Sequence, residues 1–221
     1  MTVIEFSKLL ANLSPLISCI GMVTGYMFRK HLNPVYKSLT VYCALMLLME
    51  LLNNLFGYVL LGNNMIMLHI YSLTELAFML YLFKKHLLRQ RHIALTLLGF
   101  AGLTYIVAEM LLIFVFEGLD VKQFQPYAKV VDNFVIILFT LAFLNETMTS
   151  FREKQWCNLR LAMVFLAFFT LNTLFFLPFN FMVNEGSGIK FYFWTGHIVL
   201  VICYYLYITL EIWKNGRTQM L

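Results

Sequence analysis

Residues 93–116 read IALTLLGFAGLTYIVAEMLLIFVF, an unbroken apolar run whose one charge is Glu109. A helix that crosses a bilayer consumes roughly 20 consecutive apolar residues, and a membrane-barrel strand only about ten alternating ones. The run therefore reads as a transmembrane helix. Working outward, a basic cluster from Lys84 to His92 precedes it and the polar stretch 117–126 follows it. Six more runs of the same kind are expected at about 13–28, 38–61, 65–83, 128–144, 159–183 and 191–213. Asn33-Pro34, Gly62-Asn63-Asn64 and Glu185-Gly186-Ser187-Gly188 turn the chain between them.

The fold class expected is an all-α integral membrane bundle of seven helices that forms one domain over 1–221. Composition agrees. The chain is 61% hydrophobic and 12% charged, with a mean hydropathy of +0.78, against about 45 to 50% and about 25% for soluble domains. Glu5 and Lys8 precede the first run and no small-x-small cleavage site follows it, so it is expected to stay in the mature protein. The tail after the seventh run is too short for an output domain.

The net charge of +5 does not indicate nucleic acid, because the basic residues lie at helix ends. Twelve of the sixteen Lys and Arg fall on the side that holds Arg29, Lys84 and Arg89, leaving only Lys8, Lys122, Lys129 and Lys190 on the other. By the positive-inside rule the amino terminus is outside and the carboxyl terminus cytoplasmic. The location expected is the plasma membrane, the inner one in a bacterium. Trp156, Trp194 and Trp213 fall near span ends, as interfacial anchors do. The four cysteines lie in or beside apolar runs without CxxC spacing and read as buried thiols.

The runs carry polar residues that lipid penalises. An ionisable side chain at mid-depth costs about 2.5 to 3.5 kcal/mol, so each is a candidate for function. The candidates are Glu50, Asn53, Asn54, His69, Glu75, Glu109, Asp132, Asn172 and His197. At about 1.5 Å per residue, His69, Glu109, Asp132 and His197 lie roughly 7 to 11 Å inside the outer boundary, and Glu50, Glu75 and Asn172 roughly 15 to 18 Å. Helical spacing places Cys43, Glu50, Asn53, Asn54 and Gly57 on one stripe, and Gly102, Tyr105 and Glu109 on another. A third stripe holds Trp194, His197, Tyr204 and Glu211, and His69, Ser72 and Glu75 step round an arc of about 120°. These faces should look into the bundle.

The four intramembrane carboxylates have no evident basic partner; Lys129, one turn before Asp132, is the single near candidate. Glu50 and Glu75 must then be protonated, share a hydrogen bond or meet a cation, because an isolated carboxylate is poorly solvated in low dielectric. The bland alternative is interhelical hydrogen bonding at about 0.6 kcal/mol per contact. It carries about even weight for Asn53, Asn54, Asn133 and Asn172, and less for Glu50 and Glu75.

Three functions follow. The first is a carrier that takes a small polar or cationic ligand through an outward-opening acidic pocket, with or without proton coupling. Matches of Asn54 with Asn172 and of Glu75 with His197 suggest a 3+1+3 parallel repeat. The sugar-transporting SWEET carriers share the helix count and the outside-to-inside topology, but their Pro-Gln signature is absent, since neither Pro15 nor Pro178 adjoins Gln. The second is a seven-helix receptor that acts through a separate signalling subunit or as a homo-oligomer; span seven has no interior lysine for a retinal Schiff base. The third is an intramembrane enzyme. No cofactor is called for, but His69, His197, Asp132 and Glu75 are the candidate metal ligands, and the two histidines would also suit haem b. Neither HExxH nor HxxxH occurs.

Overall fold

The computed structural model describes residues 3–60, 65–117, 124–150, 153–184, 186, 188 and 189–219. The turn at 62–64, loop positions 118–123 with Lys122, Arg152, Glu185 and Ser187 lie outside the described residues, as do the side chains of Trp156 and Cys157. Among the described residues the chain is helical, with α1 Val3–Ala11, α2 Leu13–Met27, α3 Pro34–Leu52, α4 Met65–Leu82, α5 Ile93–Leu111, α6 Tyr127–Ser150, α7 Glu153–Phe176, α8 Phe179–Asn184 and α9 Ile189–Thr218. Wider π-helical turns continue α3, α4 and α5 over Asn53–Leu60, Phe83–Leu87 and Leu112–Glu117.

Among the described residues seven stretches are long and apolar enough to cross a bilayer: Glu5–Met27, Pro34–Phe56, Met65–Leu87, Ile93–Val115, Tyr127–Thr149, Asn158–Phe176 and Ile189–Thr218. The chain is an integral, multi-pass membrane protein of the all-α class. Local chemistry sets several ends. Pro34 opens α3, where its missing N–H costs nothing. Gly188, at φ 79°, turns the chain into α9 through the left-handed region that glycine enters without strain.

The sixth span is shorter than the apolar run. It ends at Phe176 rather than near Val183, because Pro178 pushes the residue before it out of helical geometry. Gln125 holds the break. Its Nε2 donates to the carbonyls of Phe176 and Leu177, each at 2.9 Å, and its Oε1 accepts from the Asn180 N–H at 2.9 Å.

Two compact units form, Met1–Asn64 with Glu185–Leu221, and Met65–Asn184. Spans one, two and seven thus belong together, and so do spans three to six.

In the first unit α2 packs against α3 and α9. Ser14, Ser18, Gly21 and Gly25 form the buried face of α2. A Cβ on Gly25 would stand 2.1 Å from Thr40 Oγ1, so the missing side chain is what lets α2 and α3 approach. At the far end Asn215 Oδ1 accepts from the Asn33 N–H at 3.1 Å, and Gln219 Nε2 donates to Asn33 Oδ1 at 2.7 Å.

In the second unit α6 packs against α4, α5 and α7, and α4 also packs against α5. Phe83, Phe139, Phe165 and Phe169 fill the interior, Phe83 meeting Phe139 and Phe165 at ring-centroid distances of 5.9 and 6.2 Å. Glu146 on α6 closes the α4–α5 connection. Its carboxylate accepts the backbone N–H groups of Arg89 and Gln90 at 3.1 and 3.2 Å and contacts His92 Nε2 at 2.6 Å.

Candidate functional site

Because α4, α5 and α6 touch pairwise, polar groups on their facing sides meet inside the second unit. From α4 come His69, Ser72 and Glu75, all fully buried, as the arc of spacings predicts. From α6 come Lys129 and Asp132, and from α5 comes Glu109, each buried as well.

Lys129 stands in the first turn of α6 and extends its ammonium to two carboxylates. Nζ donates to Glu75 Oε2 and, at 2.6 Å, to Asp132 Oδ2, and it lies 4.9 Å from the centre of the Tyr71 ring. Lys129 retains only 2% of its exposure, and both acids retain none. The expectation that Glu75 lacks a basic partner is therefore corrected. The aliphatic stem lets a lysine near the helix start reach a glutamate 54 positions earlier in the chain. With both acids ionised the triad has one negative charge in excess. Asp132 Oδ1 is left without a hydrogen bond, so the acceptor capacity of that carboxylate is only half used.

One turn and a half away on α4, His69 contributes a second buried contact. Its Nδ1 lies 3.3 Å from the Met65 carbonyl, which can accept only if that nitrogen carries the proton. Nε2 then turns a lone pair toward Glu109 Oε1 at 3.6 Å, too far for a hydrogen bond. Neither Nε2 nor the Glu109 oxygens have a hydrogen-bond partner, so the two side chains stand in contact without a bond between them. Phe114 and Phe124 enclose the imidazole, with ring centroids at 5.4 and 5.7 Å. Tyr105, predicted to face inward with Glu109, is 42% exposed.

Asn172 lies about 6 Å from the end of α7, not near mid-depth, because the span stops at Phe176. At that level it donates from Nδ2 to Asn133 Oδ1 at 3.1 Å, a buried amide contact that joins α6 and α7.

The remaining candidates belong to the first unit. Glu50 accepts a 2.5 Å hydrogen bond on Oε1 from Ser14, which ties α3 to α2, while its Oε2 has no hydrogen-bond partner. Asn53 is half-buried and Asn54 exposed, so the inward stripe expected beyond Glu50 does not continue. The cause is the π-helical geometry from Asn53 onward, whose extra residue per turn rotates later side chains off an α-helical stripe. His197 is half-buried with its ring stacked on Trp194 at 5.0 Å, and Trp194 is itself 44% exposed.

No group of three or more His, Cys, Asp or Glu side chains among the described residues is placed to hold one metal ion. Three features escaped the sequence reading: the double grip of Lys129, the Gln125 staple and the Glu146 clamp. Only the first had a local signal, the three-residue step from Lys129 to Asp132. Comparison with protein-family models, with curated proteins and with solved structures found no match.

Proposed function

We propose that this multi-pass membrane protein is a carrier of a small polar or cationic solute, coupled to a proton held at the Glu75–Lys129–Asp132 cluster. The amino terminus is outside, the carboxyl terminus is cytoplasmic, and the plasma membrane is the site of action. The observation that carries the reading is a fully buried triad with one acid more than it has bases and an unused oxygen on Asp132.

An excess negative charge in low dielectric is costly and is relieved by a proton or by a cation. Either occupant neutralises the cluster, so the two compete for it. A carrier needs that alternation. A purely structural contact would do better with one acid and one base, or with amides such as the Asn133–Asn172 pair. A second buried acid–base contact, His69 with Glu109, joins α4 to α5.

The test is a proteoliposome assay with an internal pH dye and a panel of cationic and sugar-like solutes. Solute-dependent proton movement that is present in the parent protein and lost in Glu75→Gln and Asp132→Asn supports the carrier. Solute binding without flux replaces the carrier with a receptor that works through a separate subunit. Flux that survives both substitutions removes the triad from the mechanism.

A further inference from the structure

We propose that the connection between α4 and α5 is a binding site for the headgroup of an anionic phospholipid, in the leaflet at that end of α4. The connection carries Lys84, Lys85, Arg89 and Arg91 within eight positions, and all four side chains are exposed. None of them pairs with a carboxylate among the described residues.

The acid best placed to neutralise them is otherwise engaged. Glu146 spends both oxygens on the backbone of Arg89 and Gln90 and on the His92 ring. The clamp therefore ties the connecting backbone to α6, while the Arg89 and Arg91 side chains stay exposed. Four cations held on a fixed backbone suit a phosphodiester, and arginine adds paired N–H donors for its oxygens.

The neighbouring surface suits acyl chains. Tyr81, Leu97 and Phe100 are 46%, 64% and 57% exposed on the apolar flank of α4 and α5. Both lysines are held against that flank. Lys84 Nζ lies 5.4 Å from the Phe100 ring centre, and Lys85 Nζ donates to the Tyr81 hydroxyl at 2.9 Å. A ligand with a phosphate above and hydrocarbon below matches both halves. A free anion would leave the apolar half uncovered. The basic residues near the end of α9 are engaged differently, with Lys214 beside Glu211 at 3.6 Å and Arg217 over the Trp213 ring.

The purified full-length protein in neutral detergent is titrated with phosphatidylglycerol or phosphatidylcholine, and retained lipid is counted by native mass spectrometry. Phosphatidylglycerol is expected to be retained preferentially, and excess inorganic phosphate to leave it in place. Each charge removed among Lys84→Gln, Lys85→Gln, Arg89→Gln and Arg91→Gln should weaken retention about fivefold. These side chains are exposed, so the variants keep the fold. Neutralising Arg29, Lys30 and Lys37 instead should leave retention unchanged, and an equal loss there would reduce the site to diffuse attraction and overturn it. Equal retention of the two lipids, or displacement by phosphate, overturns it as well. Glu146→Ala separates a held site from mere charge. Loss of the clamp weakens retention, whereas simple electrostatics has the removal of an acid strengthen it, and a stronger or unchanged result contradicts the proposal.

Discussion

Replacing Lys129 with methionine removes the ammonium and keeps most of the side-chain volume, so it isolates the charge. Glu75 and Asp132 are both fully buried, so no solvent shell around the carboxylates takes over the role of the cation. Removing one partner of a buried ion pair costs about 3 to 5 kcal/mol, because the abandoned charge stays desolvated. For a chain of this size about 1 kcal/mol corresponds to about 2 to 4 °C in melting temperature, so Lys129→Met is expected to melt about 6 to 12 °C lower at the lower end of that cost. The loss should be larger in alkaline than in acidic buffer, since acid supplies the protons that neutralise the two stranded carboxylates.

The triple variant Glu75→Gln, Lys129→Met, Asp132→Asn removes every charge of the cluster at once and should melt close to the parent, or above it. The assay is thermal unfolding in one detergent for the parent, the single variant and the triple variant. A Lys129→Met protein that melts with the parent at every pH would refute the reasoning, for it would mean that the carboxylates never depended on the ammonium.

Gln125→Ala abandons two carbonyls and one N–H at the Pro178 break, and thermal unfolding should register a loss of about 2 kcal/mol, while Gln125→Glu, which cannot donate to those carbonyls, should fall nearly as far. Gly25→Ala forces a methyl group into Thr40 across the α2–α3 contact and should cost about 1 to 3 kcal/mol in the same assay, with partial recovery when Thr40→Ala is added. Asn172→Ala removes one interhelical amide contact and should cost about 0.6 to 1.7 kcal/mol without altering proton movement.

The seven helices were legible because lipid imposes a length, and each apolar run states it. Their ends were less so. Residues 173–183 are largely apolar, and the backbone restriction imposed by Pro178 is what interrupts the helix there. The inward faces of α4 and α5 followed from α-helical spacing, which is why His69, Glu75 and Glu109 are buried as expected. The stripe on α3 failed where the backbone left that spacing at Asn53. Pairing was harder still. Nothing in the chain states that α4 lies beside α6, so Glu75 read as an acid without a base although Lys129 is its partner. The grouping of span seven with spans one and two is likewise a matter of packing that periodicity does not encode.

The central claim is that the triad exchanges a proton with the surrounding water instead of holding a fixed charge pattern. Infrared difference spectroscopy of the reconstituted protein across the physiological pH range tests it most directly. The account predicts a carboxylic-acid stretching band that grows on acidification and disappears from the difference spectrum in both Asp132→Asn and Glu75→Gln. A spectrum without such a band, or one that both substitutions leave intact, would contradict it.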